Sequence, residues 1–322
     1  MPEQPFSLKD LEQEMTMTSS PSATRIEYVG LVGGGVMGRG LAQTLSAQGL
    51  NVLIVEKNEE KAQRCTEGLS ENMDREIQRW GMTEGEKRAL LSRIKVSTDI
   101  SEVANTDFVM EVVDEQFDLK QEILLRLDKL CDPHTIIASN TSTLSLTKIA
   151  KPVQSPNRII GLHFANPVPK TPLCEIVRAF QTSDETFEQT REFIKSIGKT
   201  PVEVYEYPGF ITTRVIIPMV NEAMYILMEG VASADDIDTA MRLAYNMPMG
   251  PLELADSMGL EELLAWMESM FQELGDSKYR PCPLLRRLVR EQKYGKKSGE
   301  GFFRYDESGN RISENESKES VS

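Results

Sequence analysis

The chain has 322 residues, 40% of them hydrophobic, which is enough for two domains with separate cores. Its formal net charge of −14 argues against nucleic acid or an anionic membrane as a partner. No apolar run approaches the roughly 18 residues that a membrane-spanning helix needs. Residues 1–24 resemble neither a secretory signal nor a transit peptide. We therefore expect a cytoplasmic protein with a flexible tail over residues 1–24.

Residues 25–56 predict a strand, a glycine-rich turn, a helix and a second strand. The apolar run 26–32 leads into Gly33-Gly34-Gly35-Val36-Met37-Gly38, which fits the dinucleotide pattern G-x-G-x-x-G. In that pattern Gly33 permits the tight turn and Gly35 lets a pyrophosphate approach the backbone. Gly38 lets the helix pack closely on the strand, and the helix N-terminus attracts the phosphates. The alternative is a glycine-rich turn that merely packs.

An acid, Glu56, ends the second strand about 20 residues after the glycines, as the dinucleotide pattern requires. Its carboxylate can accept hydrogen bonds from the adenosine ribose hydroxyls. A carboxylate there repels the 2′-phosphate of NADP, although the adjacent Lys57 softens that preference. We therefore predict NAD as the cofactor.

Strand and helix patterns alternate downstream, which predicts a doubly wound, Rossmann-like and mostly parallel sheet of the α/β class. Helices are predicted over 59–80, 115–130 and 184–197, with another restarted by a capping box at 83–86. Strands are predicted over 94–97, 108–113, 135–139, 159–163, 174–177 and 200–204.

The composition changes at residues 205–209, beyond which the chain reads as almost entirely helical. The helix predicted over 210–228 is apolar around most of its circumference and contains Pro218, which is expected to kink it. Such a helix suits the centre of a helical domain or a subunit interface. We predict an NAD-binding domain over 25–206, a helical substrate and dimerisation domain over 207–306, and a loose C-terminal tail over 307–322.

The sequence contains only two histidines, so an imidazole base must be one of them. His134 falls in a turn pattern, which favours a surface role. His163 ends an apolar strand, where ligands of open α/β sheets bind, but a merely structural histidine would fit equally well there. Glu175 lies in an apolar strand and needs a partner. If residues 166–169 turn the chain back, Glu175 can lie beside His163 and fix its tautomer. The alternative is a solvated carboxylate on an edge strand.

Small polar residues also follow the strand predicted over 135–139. The run Ser139-Asn140-Thr141-Ser142-Thr143 could hold a ligand or cap the next helix. The four cysteines, by contrast, are scattered and form no C-x-x-C pair, so no metal site is predicted. We expect buried thiols in a reducing compartment.

Together these motifs resemble the L-3-hydroxyacyl-CoA dehydrogenase family, and most of all its short 3-hydroxybutyryl-CoA dehydrogenases. The likeness covers nearly all of residues 26–305. Beyond the glycine turn and 139–142, it includes the segments 161–169, 208–210, 248–256 and 295–302.

The resemblance implies reversible, NAD-dependent oxidation of a 3-hydroxyacyl-CoA to the 3-ketoacyl-CoA by a homodimer. By position, His163 matches the general base, Glu175 the carboxylate that orients it, and Ser142 the hydroxyl that contacts the substrate oxygen. Asn166 lies in the same loop as His163 and is expected to help hold the site. Glu115 and Lys120 match cofactor contacts, the alternative being ordinary charges in a helix's first turn.

Three features depart from the family pattern, one of them the turn Pro169-Lys170-Thr171-Pro172, which replaces an apolar link. Thr213 stands where members usually carry an asparagine that completes the substrate oxygen site, and Ala165 replaces an aromatic residue. These changes leave open the acyl length. They also keep open a related dehydrogenase acting on a hydroxy acid without CoA, such as a sugar acid or carnitine. A cofactor-binding protein without turnover is a third reading.

Overall fold

The computed structural model describes residues 26–79 and 81–312, and their contacts divide them into two units. The first unit holds the described residues up to Asn140, with Ala150–Ile176 and Gln181–Val202. The second holds Thr141–Ile149, Val177–Phe180 and the described residues from Glu203 onward. The predicted tail over 1–24, Trp80 and residues 313–322 lie outside the described residues.

Eight strands form one sheet in the order β3-β2-β1-β4-β5-β6-β7-β8. Pairs β1–β2, β2–β3, β1–β4, β4–β5 and β5–β6 are parallel, which confirms the predicted doubly wound sheet. The strands are β1 (Tyr28–Val32), β2 (Asn51–Val55), β3 (Ile94–Ser97), β4 (Phe108–Glu111), β5 (Ile136–Ser139), β6 (Ile159–Phe164), β7 (Leu173–Arg178) and β8 (Thr200–Tyr205).

Helices alternate with these strands, as the sequence pattern predicts. They are α1 (Val36–Ala47), α2 (Glu59–Gln78), α3 (Glu84–Leu91), α4 (Phe117–Leu130), α5 (Leu146–Ala150) and α6 (Asp184–Ser196). The predicted capping box is present at the start of α3, where Thr83 and Glu86 hydrogen-bond reciprocally. Helix α4 begins at Phe117 rather than at residue 115, so Glu115 precedes the helix.

The central strands are buried along their whole length because helices cover both faces of a parallel sheet. Strand β4 is buried at every position, and Leu53 and Ile54 of β2 are fully buried. Phe108 of β4 packs on Phe193 of α6, with ring centroids 4.6 Å apart. Burial of these side chains stabilises the sheet, whose register sets the position of its carboxyl edge.

The register aligns the last residues of neighbouring parallel strands at that carboxyl edge. Val32 pairs with Glu111, and Glu111 pairs with Ser139. The residues that follow these strand ends therefore lie together at the carboxyl edge of the sheet, where ligands of open α/β sheets bind.

The second unit is built mainly from helices α7 (Thr212–Met228), α8 (Ala234–Tyr245), α9 (Pro251–Met258), α10 (Leu260–Leu274) and α11 (Pro283–Arg290). Helix α7 keeps Pro218 inside a continuous helix and buries Ile217, Val220 and Met224. Val215 on the same helix is 65% exposed, so the predicted burial holds for only part of its circumference. No described helix is both long and apolar enough to cross a bilayer.

Residues 307–312 differ from the loose tail predicted to begin at Glu307. The Asp306 carboxylate accepts hydrogen bonds from the N–H groups of Ser308 and Asn310, and Tyr305 forms an antiparallel bridge with Arg311. The Arg311 guanidinium lies 3.5 Å from the ring centroid of Phe303. These contacts make the segment an ordered turn on the helical unit.

Candidate active site

The glycine turn after β1 has the geometry that its sequence predicts. Gly33 has φ +114°, a conformation that favours glycine, and its N–H donates to Val55 O over 2.9 Å. A Cβ at Gly38 would lie 2.0 Å from Gly33 O, so only glycine lets α1 start this close to the turn. The first and last glycines of the motif are therefore requirements of the fold itself.

Gly35 differs from these two glycines because a Cβ built on it would meet nothing within 4 Å. It directly precedes α1, whose first N–H groups have no partner inside the helix. The side of the turn that Gly35 faces is open, and any side chain there would take up that space. The turn thus fits a pyrophosphate that approaches the backbone and the helix N-terminus.

Glu56 follows β2 and is tied to the glycine turn. Gly34 N–H donates to its Oε1 over 2.7 Å, and Lys57 N–H donates to Oε2 over 3.2 Å. A carboxylate has about four lone-pair sites. Two backbone donors therefore leave acceptor capacity for ribose hydroxyls while fixing the carboxylate's position.

Lys120 is fully buried, so it is not an ordinary solvated charge in the first turn of a helix. Its Nζ donates to Glu111 Oε1 over 2.8 Å, to Asn140 O over 2.7 Å and to Val113 O over 3.3 Å. Glu115 lies 3.5 Å from the same ammonium, and its side chain is 30% exposed. The ammonium therefore links the segments that follow β4 and β5.

Glu111, which the sequence interpretation missed, is the buried partner of that lysine. Its Oε2 accepts from Ser139 Oγ over 2.6 Å, and its Oε1 also accepts from Val113 N–H over 2.8 Å. Burial raises the pKa of the Glu111 carboxyl, and the Lys120 ammonium opposes that rise. An acid closing an apolar strand was the available signal, because a buried carboxylate needs a partner.

His163 and Glu175 form a direct hydrogen-bonded pair. His163 Nδ1 lies 2.5 Å from Glu175 Oε2, and the two side chains are 11% and 1% exposed. Because an ionised carboxylate only accepts, Nδ1 carries the proton and the acceptor lone pair is on Nε2. The alternative of a solvated Glu175 is wrong.

His134 lies exposed in a turn, as its sequence pattern predicts.

The loop between His163 and Glu175 is fixed by two lysines that the sequence interpretation did not select. Lys199 is buried and donates to Val168 O over 2.5 Å and to Thr171 O over 2.7 Å. Lys170 pairs with Glu76 of α2 over 2.9 Å. Asn166 is exposed at the start of this loop and joins Pro167 through a cis peptide bond.

Ser142 and Thr213 belong to the second unit. Ser142 is half-buried in the segment that leads to α5, and Thr213 is 6% exposed near the start of α7. Glu206 holds the Ser142 segment, because its carboxylate accepts from Ser145 Oγ and, over 2.8 Å, from Thr147 N–H. Sequence reasoning missed Glu206, which lies 59 residues from Thr147.

Two motifs further along the second unit have a structural role, because their polar groups form hydrogen bonds within that unit. Asp238 accepts from the N–H groups of Leu252 and Glu253 over 2.8 and 2.9 Å and so caps α9. Asp256 accepts from Phe302 N–H, Phe303 N–H and Tyr305 Oη over 2.9, 3.0 and 2.9 Å. The conspicuous segments 248–256 and 295–302 therefore hold each other in place.

Comparison with known proteins agrees with this geometry. Residues 28–207 match the model of the 3-hydroxyacyl-CoA dehydrogenase NAD binding domain, and residues 209–305 match the 3-hydroxyacyl-CoA dehydrogenase C-terminal domain. The match to an NAD binding domain confirms the predicted cofactor.

Similar proteins extend the match over most of the chain. A probable 3-hydroxybutyryl-CoA dehydrogenase of Bacillus subtilis is 44% identical over 282 residues, which cover 88% of this chain and 98% of that protein. A 3-hydroxybutyryl-CoA dehydrogenase of Bradyrhizobium diazoefficiens is 40% identical over 286 residues, covering 88% and 97% of the two chains. The crystal structure of (S)-3-hydroxybutyryl-CoA dehydrogenase from Ralstonia eutropha has a TM-score of 0.81 and 42% identity, covering 88% of this chain and 100% of that one. The chain therefore belongs to the 3-hydroxyacyl-CoA dehydrogenase family of NAD-dependent oxidoreductases.

Proposed function

We propose that this protein reversibly oxidises a short 3-hydroxyacyl-CoA, with 3-hydroxybutyryl-CoA as its best substrate, to the 3-ketoacyl-CoA. The observation that carries the proposal is the buried pair of His163 and Glu175, with Nδ1 and Oε2 2.5 Å apart at the end of β6. The family membership supports the reaction type. The names of the similar proteins support the short acyl group.

His163 is the general base in this proposal. NAD, when bound, supplies the hydride acceptor. As the C3–H hydride leaves the substrate, His163 Nε2 accepts the proton of the C3 hydroxyl and the C3–O bond becomes a carbonyl. Glu175 stabilises the resulting imidazolium through Nδ1–H, and in the reverse direction the imidazolium returns the proton. General base catalysis of this kind contributes about 10²–10⁴-fold.

Ser142, Asn166 and Thr213 are the proposed substrate contacts. The Ser142 hydroxyl would hydrogen-bond the substrate oxygen in the position that the family resemblance implies. Thr213 supplies a hydroxyl where the family pattern has an asparagine amide, so it has less reach. We infer that this substitution affects the choice of acyl group rather than proton transfer, since His163 and Glu175 pair with each other directly.

The proposed cofactor contacts divide by their role. Gly33 and Gly38 shape the turn, and Gly35 keeps it open to the pyrophosphate. Glu56 would accept from the adenosine ribose, and its two backbone donors support that role. Glu115 and Lys120 would lie beside the cofactor at the ends of β4 and β5.

The direct test follows NADH consumption with acetoacetyl-CoA and with longer 3-ketoacyl-CoA substrates, at the nicotinamide absorbance. We expect turnover with the highest kcat/KM for acetoacetyl-CoA. Free 3-keto acids, assayed in parallel, test the alternative of a substrate without CoA. Turnover of a free acid but of no acyl-CoA would replace the proposal with that alternative.

We also propose a homodimer formed by the helical region over residues 207–306, in a reducing cytoplasm. Large apolar side chains are exposed on this region: Val215 at 65%, Val231 at 71%, Leu243 at 79% and Tyr245 at 71%. A second copy would cover them. The four cysteines are free and buried, which suits a reducing compartment. Sedimentation should give twice the chain mass, and a monomer at micromolar concentration would contradict the dimer.

A further inference from the structure

We propose that Arg39 sets coenzyme specificity, because its guanidinium offsets the repulsion of a 2′-phosphate by Glu56 and lets the protein bind NADPH as well as NADH. This inference rests on the nicotinamide coenzyme site in the first unit. It concerns a residue that the glycine pattern does not specify, since Arg39 follows the last glycine of that pattern.

Arg39 and Glu56 hold the same residue of the phosphate-binding turn from opposite sides. Arg39 Nη1 donates to Gly34 O over 3.1 Å, while Gly34 N–H donates to Glu56 Oε1 over 2.7 Å. The guanidinium and the carboxylate that is proposed to bind the ribose are thus linked through a single residue of the turn. A 2′-phosphate on that ribose would meet both charges.

Helix α2 provides a slot for the guanidinium. A Cβ at Gly68, in the interior of this helix, would lie 2.9 Å from Arg39 Nε and 3.0 Å from its Cζ. Glycine destabilises a helix interior relative to alanine, so its presence there needs a reason. The space that it leaves holds the guanidinium against the turn instead of letting the side chain extend into solvent.

Among the described residues, no direct ion pair neutralises the positive charge in this slot. Arg39 forms no ion pair with a residue in the described part of the chain, and its buried Nε has no hydrogen-bond acceptor there. Cys65 lies at the same turn, where its Sγ would be 2.5 Å from a Cβ on Gly34. Burial raises the pKa of the Cys65 thiol to about 11, so this neighbour stays neutral at pH 7. Arg39 therefore keeps its full charge for an anionic ligand.

The experiment measures dissociation constants of NADH and NADPH by fluorescence titration of the purified protein without acyl substrate. For the wild-type protein we expect NADPH to bind within about tenfold of NADH. Arg39→Met keeps the apolar stem and removes the charge. We expect it to weaken NADPH about tenfold, which is about 1.4 kcal/mol, and NADH no more than about twofold.

Two further variants serve as controls. Arg64→Met removes an exposed cation from α2, the helix that contains Gly68, where Arg64 pairs with Glu60; this variant should leave the NADPH to NADH ratio unchanged. Arg39→Lys keeps the charge and should hold the ratio within about threefold of wild type, which also tests the idea if Arg39→Met does not fold. High salt should reduce the effect of Arg39→Met.

Equal weakening of both coenzymes by Arg39→Met would overturn the proposal and make Arg39 only a support for the turn. No change in either constant, or no measurable NADPH binding by the wild-type protein, would overturn it as well. Absence of NADH binding by the wild-type protein would instead contradict the coenzyme site itself, so the two failures are distinguishable.

Discussion

Buried carboxylates in the two units are satisfied by different partners. In the first unit, Glu111 contacts the Lys120 ammonium and Glu175 contacts the His163 imidazole. In the second unit, Asp238 and Asp256 accept hydrogen bonds from backbone N–H groups, with one tyrosine hydroxyl added at Asp256. Side-chain pairs fix the residues around the proposed chemistry, whereas backbone donors fix the shape of the helical unit.

This difference indicates that some of the recognisable motifs have a structural role. The segments 248–256 and 295–302 match the family as clearly as the histidine loop does, yet their polar groups are turned toward one another. A Cβ at Gly301 would lie 2.0 Å from Asp256 Oδ1, so the glycine there serves close packing. A motif can therefore be conspicuous in sequence because it specifies a buried backbone contact.

Removing one partner of the buried ion pair between Glu111 and Lys120 should give the largest loss of stability. Glu111→Gln leaves the buried Lys120 ammonium without its carboxylate, and we expect a loss of about 3 to 5 kcal/mol in the free energy of unfolding. Urea unfolding followed by circular dichroism measures this. The double variant Glu111→Gln/Lys120→Met should recover much of the loss, because no unpaired charge remains. A loss below about 1 kcal/mol in Glu111→Gln would show that the pair does not brace the sheet.

Asp256 in the second unit should contribute to the free energy of unfolding in a pH-dependent way. Burial raises its pKa from 3.8 to about 6. Between these values the unfolded chain has lost the proton that the folded protein keeps, so folding stability falls as pH rises. The loss is about 3 kcal/mol once pH exceeds the folded pKa.

The matching variant is Asp256→Asn, which cannot titrate. We expect it to destabilise the protein at all pH values because its amide nitrogen faces the Phe303 N–H. Its deficit relative to wild type should be about 2 kcal/mol larger at pH 4 than at pH 7, because the unfolded carboxyl is still partly protonated at pH 4. The exposed Glu222→Gln serves as the control and should show no such trend. A deficit that does not change with pH would mean that Asp256 titrates near its ordinary value.

The smallest expected effect on stability is that of Gly35→Ala, which contrasts with Gly38→Ala in the same motif. Gly35→Ala adds a methyl group to open space, so unfolding should be unchanged while the dissociation constant for NADH rises by at least about tenfold, or about 1.4 kcal/mol. Gly38→Ala is the contrast, because its methyl group would collide with Gly33 O and destabilise the fold. Wild-type NADH affinity in Gly35→Ala would contradict the position of the pyrophosphate.

Much of the fold was predictable because local pattern and chemistry agreed. Apolar runs predicted the strands, and the glycine turn ending at Gly38 predicted the start of α1. The pair of His163 and Glu175 was one of two readings that remained open under the rule that a carboxylate in an apolar strand needs a partner, and the family resemblance favoured it. The helix starts at Phe117 and Thr212 were each placed two residues too early, since apolar periodicity does not fix the first helical turn.

Two of the residues that escaped prediction, Lys199 and Glu206, act over long sequence distances. Lys199 supports a loop 28 and 31 residues away, and Glu206 holds a segment 59 and 61 residues away. Arg39 reads in sequence as a charge on a helix surface. Its slot depends on Gly68, whose role becomes visible only when the two helices are placed together. Whether a single polar group is buried depends on tertiary contacts, so the sequence around that group does not predict it.

The most direct test of the account compares the two histidines. His163→Gln removes the proposed base, and we predict a fall in kcat of about 10²–10⁴-fold with NADH affinity retained. His134→Gln alters the exposed histidine of the turn and should leave kcat unchanged. Wild-type kcat in His163→Gln, measured with acetoacetyl-CoA and NADH, would contradict the role of His163 as the base.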